Sequence, residues 1–167
     1  MFLSVATFLK VWEKEANSTQ RILDALTDVS LNQLVTVQDR TLGRIVWHIV
    51  TTIPEMMGRT GLILQSVNED APLPNTTEEI IHSYQEVSHS LETAIRNQWN
   101  DQSLLEEKDM YGETWTNGQT LSALVDHQIH HRGQVTVLMR QAGLKVPGIY
   151  GPSREAWHQL GMEPPKI

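Results

Sequence analysis

The 167 residues contain no cysteine. That removes disulfides, thiolate ligands and cysteine nucleophiles together, so any metal has to rest on His, Asp or Glu. Basic charge is also scarce: 13 Lys and Arg stand against 20 Asp and Glu, a formal net charge of −7. The basic residues are scattered singly. Sequence-independent binding of nucleic acid, like attachment to an anionic membrane, needs clustered Lys and Arg, so neither partner is expected. Nor is there an uncharged apolar run near the ~18 residues of a membrane span. The opening MFLSVATFLKVWEKE has a short apolar stretch but no basic region before it and no small-residue cleavage site. The expectation is a soluble, cytoplasmic protein.

What is present is ordinary for a globular chain, with 40% hydrophobic and 20% charged residues. The length suits one domain over 1–167, large enough to bury roughly 70% of the surface its unfolded chain exposes.

Apolar residues recur at three-and-four spacing through Val5, Phe8, Leu9, Trp12, Ala16, Leu23 and Leu26, the stripe of an amphipathic helix with Ser4 as N-cap. Asp28 to Asn32 reads as a turn. Thr41 caps a second helix running to about Ser66, with Leu42, Ile45, Val46, Ile49, Ile53 and Met56 on its buried face. Pro54 interrupts its hydrogen-bond ladder, so a kink is expected there. APLPN at 71–75 breaks the chain, and Thr76 with Glu79 forms a capping box for a third helix to about Trp99. The stretch LLEEKDMYGETWTNG has turn residues and no helical period, and reads as a small hairpin or an irregular crossover. Thr116 and Gln119 offer a second capping box, opening a helix that ends at Gly143. The Pro- and Gly-rich tail leaves room for one short helix from Ser153 to Leu160. An all-α four-helix bundle with at least one long crossover connection is expected.

Seven histidines are present, and the informative ones lie in DHQIHHRGQ. Residues four apart on a helix share a face, so His127 and His131 can address one point. His130 points roughly 60° away from His127 at ~100° per residue, and can pair with Asp126. Gln128 stands where a zincin helix carries its general-base Glu, which excludes that mechanism. A catalytic metal site wants a third ligand and then open positions. His48, in RIVWHIV at the edge of the buried stripe, is the best candidate by pattern, although a lone histidine there is more often a hydrogen-bonded core residue. For His127 and His131 alone, a ligand pair and a surface pair are equally good readings. His82 and His89 read as solvated, and His158 lies in the tail. The five tryptophans read as packing residues. Glu55, two turns after His48, reads as a solvated carboxylate or a partner of the site, and Arg44, Arg132 and Arg154 as surface residues able to meet a carboxylate.

The segment RTLGRIVWHIV, followed about 80 residues later by HQIHHRGQVTVLMRQAGLKVPGIYGP, resembles the DinB-like family of bacterial helical metalloproteins. The resemblance covers nearly the whole chain and reverses the core reading of His48. It implies a divalent metal, nickel or zinc, on His48, His127 and His131, and a homodimer. It further implies a thiol-dependent S-transferase of detoxification or stress response, acting on a small-molecule substrate with a low-molecular-weight thiol as co-substrate. A non-catalytic dimeric stress protein and a metal-dependent hydrolase are the alternatives.

Overall fold

The computed structural model describes residues 1–65, 67, 72–157 and 160–166. Four helices dominate it: α1 (Val5–Leu23), α2 (Leu42–Arg59), α3 (Thr77–Gln98) and α4 (Asn117–Gln141). Each apolar stripe turns inward. On α2, Leu42, Ile45, Val46, Ile49, Ile53 and Met56 are all buried, and so are Ile80, Tyr84, Val87, Leu91, Ala94 and Ile95 on α3. The central pairing is α2 against α4, while α1 packs on α3 and α4 and α3 also packs on α2.

Three of the four expected caps form. The Thr41 hydroxyl accepts from the Arg44 amide at 3.2 Å, and full capping boxes close at Thr76–Glu79 and Thr116–Gln119. Ser4 does not cap α1 with its side chain. The Val5 amide instead donates to Asp101 Oδ1 at 2.8 Å, so a residue from the far crossover satisfies that helix end. At the other end of α4, Gly143 (φ 76°) lets its own amide and that of Leu144 reach back to the Arg140 and Met139 carbonyls at 3.1 and 2.9 Å.

Three expectations need correction. The second helix stops at Arg59, well before residue 66, which lies outside the described residues. The Thr60 hydroxyl donates to the Met57 carbonyl at 2.6 Å and Gly61 takes φ 83°, which turns the chain out of the helix. The turn at Asp28–Asn32 is one short 3₁₀ helix, capped by Thr27. In the tail, where a short helix from Ser153 to Leu160 is expected, 154–157 form turns, and 158 and 159 lie outside the described residues. α2 runs through Pro54 as one continuous helix.

The crossover between α3 and α4 holds a 3₁₀ turn (Asp101–Leu105) and an antiparallel hairpin, β1 (Glu107–Met110) and β2 (Glu113–Thr116). The hairpin is a small addition to the all-α bundle. Its two-residue turn, Tyr111 (φ 60°) and Gly112 (φ 86°), is left-handed at both positions, the twist that matches paired strands. Fully buried Met110 pins the hairpin to the core beside α2.

Polar groups tie the interior together. Arg132, read from sequence as a surface residue, is 2% exposed and forms an ion pair with buried Glu15 of α1. Its guanidinium also donates to the Glu15 carbonyl at 3.0 Å and to Thr19 Oγ1 at 3.1 Å. The Tyr150 hydroxyl, from the tail, donates to the same carboxylate at 2.5 Å. Burial works to raise the Glu15 pKa, but the hydrogen bonds from Tyr150 and Arg132 and the guanidinium charge outweigh it and hold the carboxyl below its ordinary value.

Removing one member of a buried ion pair strands the other, at a cost of about 3–5 kcal/mol. Arg132→Met is therefore expected to lower the urea midpoint sharply, and Glu15→Leu combined with Arg132→Met to recover much of the loss. A double variant no more stable than the single one would show that the pair does not carry this cost.

Candidate metal centre

His48 projects from the middle of α2, where Ile45, Val46 and Ile49 face the core and leave the ring at the stripe's edge, half-buried. His127 and His131 stand one turn apart on α4, the helix that packs against α2. The three rings meet: centroids are 4.8 Å apart for His48–His127, 4.8 Å for His48–His131 and 4.4 Å for His127–His131. One ligand nitrogen from each lies within 4.8 Å of the others, a grouping that could hold a metal ion. His48 Nε2 and His127 Nε2 are 3.1 Å apart, close to the ~3.3 Å that two nitrogens adopt around a tetrahedral ion at ~2.0–2.1 Å from each. Among the described residues no fourth His, Asp or Glu joins this cluster.

Hydrogen bonds away from the centre fix two of the tautomers. The Thr52 hydroxyl donates its single proton to the His48 carbonyl at 2.7 Å. It is therefore free only to accept from His48 Nδ1, 3.3 Å away. His131 Nδ1 is 2.8 Å from Gln134 Oε1, an atom that can only accept. Both rings thus carry their proton on Nδ1 and present a bare Nε2 lone pair, the arrangement that outer-shell partners give metal-ligating imidazoles. His127 Nδ1 is buried with no hydrogen-bond partner, so that ring has no polar contact behind it and its one polar contact is with His48, through Nε2.

The site keeps its imidazoles uncharged. Burial, then the neighbouring His131 and Arg40 charges, push His48 down to about 4. Burial and the surrounding histidines do the same to His127, also to about 4. Burial lowers His131 despite the opposing hydrogen bond to Gln134. Neutral imidazole is the metal-binding form, so a cation would meet little proton competition near neutrality.

The register that brings α2 and α4 together at this level comes from Gln128, next to His127 and 1% exposed. Its Nε2 donates to the carbonyl of Ile49, the neighbour of His48, at 3.1 Å. Its Oε1 lies 3.4 Å from the Tyr84 hydroxyl of α3 and 3.4 Å from the Thr19 hydroxyl of α1. One amide therefore touches all four helices.

Cavities open on two sides of the rings. One, about 500 Å³, is walled by His48, His127, Thr52, Glu55, Tyr111 and Trp115. Glu55 is not simply solvated there: it accepts from the Tyr111 hydroxyl and from Arg59 Nε, each at 2.6 Å. The Arg59 guanidinium sits 4.5 Å from the Tyr111 ring centre, and burial first, then Glu55, push Tyr111 up to about 12. The second cavity, about 520 Å³, lies beyond His131 and Gln134 and reaches Arg40. The remaining candidates stand apart. His130 faces Gln134 at 3.2 Å rather than Asp126, and His82 and His89 are exposed on α3. Arg44 is exposed, and Arg154 approaches Glu155 at 3.4 Å. Sequence patterning gave no signal for Arg40 or Tyr111, whose relation to the rings is entirely tertiary.

The family model described as the DinB family matches residues 1–166. The chain is 48% identical over 167 residues, all of both chains, to the Bacillus subtilis (strain 168) protein YrdA, described as uncharacterized. It superposes on the crystal structure of a DinB-like protein from Bacillus cereus with a TM-score of 0.87 and 43% identity, over 90% of this chain and 100% of that one. The crystal structure of a second DinB-like protein, YjoA of Bacillus subtilis, gives a TM-score of 0.68 at 17% identity, over 88% and 99% of the two chains, a likeness of fold.

Two measurements test this geometry. Thr52→Val deletes the acceptor behind His48 and is expected to weaken zinc or cobalt binding about 10-fold in a chelator competition; unchanged affinity would remove Thr52 from the site. In chelator-treated protein, stability is expected to fall as pH drops from about 6.5 toward 4. The unfolded chain takes up protons at His48 and His127 in that range while the folded chain does not. Urea midpoints in His48→Asn should show a shallower decline between pH 6.5 and 5; an equally steep one would mean that the proton uptake lies elsewhere.

Proposed function

The chain belongs to the DinB family, and on that premise we propose that His48, His127 and His131 bind a divalent cation, nickel or zinc, in an enzyme that transfers a low-molecular-weight thiol to an electrophilic small molecule. The observation that carries the reading is a three-imidazole cluster with no fourth protein ligand among the described residues and a cavity against it. Structural zinc sites are usually closed by four protein ligands, whereas catalytic ones keep a place open. Three neutral donors would leave a bound cation its full charge, and its Lewis acidity would supply thiolate at neutral pH.

The protein's own groups do the rest. Thr52 and Gln134 hold the ring tautomers. Apolar Met56 and the Trp115 and Tyr111 rings shape a wall for a neutral electrophile in the cavity beside His48. Glu55, held on one side by Arg59 and Tyr111, is the carboxylate in that wall. As the thiol S–H bond breaks, its proton passes to Glu55. The sulfur lone pair forms the new S–C bond while the bond from carbon to the leaving group breaks, and that group departs with its electrons. Lacking cysteine, the chain relies on a free thiol for the nucleophile. A detoxification role and a homodimeric assembly fit this reading.

The test is a conjugation assay with metal-loaded protein, a small thiol and a chromogenic aryl halide. Wild-type protein is expected to give conjugate in proportion to enzyme. His48→Ala with His127→Ala should abolish it along with bound metal, and Glu55→Gln should slow it by about 10²-fold at unchanged metal content. Fully loaded wild-type protein that makes no more conjugate than the free ion would end the transferase reading. Liberation of a hydrolysed product instead would point to water as nucleophile.

A further inference from the structure

The cavity beside His48 and His127 has a wall whose polar groups are already engaged. The Thr52 hydroxyl donates to the His48 carbonyl at 2.7 Å, and the Thr51 hydroxyl reaches the same oxygen at 3.5 Å. The Tyr111 hydroxyl donates to Glu55, and the Trp115 indole N–H donates to Glu113 Oε2 at 2.8 Å. Outside the histidines, among the described residues, no side-chain donor in the wall is left to grip a polar substrate. Met56 and Ala123 complete the lining. Discrimination there has to come from shape and from the two aromatic rings.

Those rings are fixed before anything enters. Glu113 and Trp115 are two apart on β2, so their side chains stand on one face of the hairpin, and the bond between them holds the indole in place. Tyr111 is held at its far end by Glu55, and the Arg59 guanidinium sits over its ring. The Tyr111 and Trp115 centroids are 6.2 Å apart with the planes at 70°, which makes a corner. A flat ring stacked on one side of a corner turns its edge toward the other, and both are arrangements that aromatic pairs favour. An aliphatic group of equal volume makes neither. Rings already immobilised also lose little freedom on binding. Their faces are negative, so they attract a ring depleted of electrons.

We propose that this cavity takes electron-poor aromatic rings, that Trp115 sets the preference, and that Glu113, outside the lining, is a positioning residue for the indole. The depletion that favours stacking also opens such a ring to a thiolate. The sulfur lone pair bonds to the carbon bearing the leaving group, and that group departs with its bonding electrons as aromaticity returns. This inference rests on the thiol-transfer reading and names the class of its electrophile.

The experiment titrates zinc-loaded full-length protein with two inert probes of similar size that carry the same group, nitrobenzene and nitrocyclohexane. Binding is followed by the NMR methyl signals of Met56 and Ala123. Wild-type protein is expected to bind nitrobenzene about fivefold or more tighter. Trp115→Leu should erase that preference while nitrocyclohexane still binds, Trp115→Phe should retain it, and Glu113→Ala should fall between Trp115→Leu and wild type. Equal binding of the two probes by wild-type protein, or a preference that survives in Trp115→Leu, overturns the aromatic site while leaving thiol transfer standing. If Trp115→Leu loses both probes because the hairpin unfolds, Trp115→Phe decides: a retained preference supports the ring and a lost one overturns it. Neither probe reacts, so the titration is independent of the conjugation assay. A nitrobenzene preference in protein that forms no conjugate would keep the aromatic site and overturn its role in transfer.

Discussion

Everything at the histidine cluster depends on one buried amide. Gln128 sits between the two α4 histidines in sequence, and its side chain turns into the bundle, where its Nε2 holds the Ile49 carbonyl at 3.1 Å. Ile49 adjoins His48. The contact therefore sets the height of α2 against α4 at the level where the rings must meet. A slip of one residue along either helix would move a ring by about 1.5 Å and swing it by ~100°, enough to scatter the three nitrogens. Tyr84 and Thr19 bring α3 and α1 to the same amide. A buried amide left without partners costs about 1–3 kcal/mol, so alternative registers are penalised even where apolar packing alone would tolerate them. Arg132, one turn further on, repeats the device between α4 and α1.

The electrostatic arrangement follows from that frame. Burial keeps the imidazoles neutral, Thr52 and Gln134 turn their lone pairs inward, and no acidic group among the described residues joins the cluster to spend a cation's charge. Charge appears at the edges: a carboxylate clamped by Tyr111 and Arg59 on one side, Arg40 beside Asp39 on the other. The hairpin, a minor element of an all-helical fold, thus has a placement role. Its left-handed tip carries Tyr111 over α2, and buried Met110 anchors it there.

The helices were legible in the sequence because amphipathic stripes and capping boxes are local: Thr41, Thr76 and Thr116 act where their spacing places them. Failures came where a distant residue intervened. Ser4 gives way to Asp101 from the far crossover, and Arg132 reads as surface until Glu15 and Tyr150 neutralise and enclose it. The end of α2 was overextended because apolar residues continue past Gly61, while backbone handedness decides the stop. At the site, the i,i+4 spacing put His127 and His131 on one face and pattern made His48 the best third candidate, but its edge position more often marks a core histidine, and the family resemblance reversed that reading. The structure brings all three rings together. Glu55's partners and the position of Arg40 had no sequence signature, because both arise from segments that meet only after folding.

X-ray absorption at the metal edge of the protein loaded with one equivalent of cobalt or zinc tests the central claim most directly. The account predicts three imidazoles with at least one additional light-atom ligand from solvent, falling to two imidazoles in His48→Ala. Fewer than three imidazoles in the wild-type protein, or a carboxylate closing the coordination shell, would contradict it.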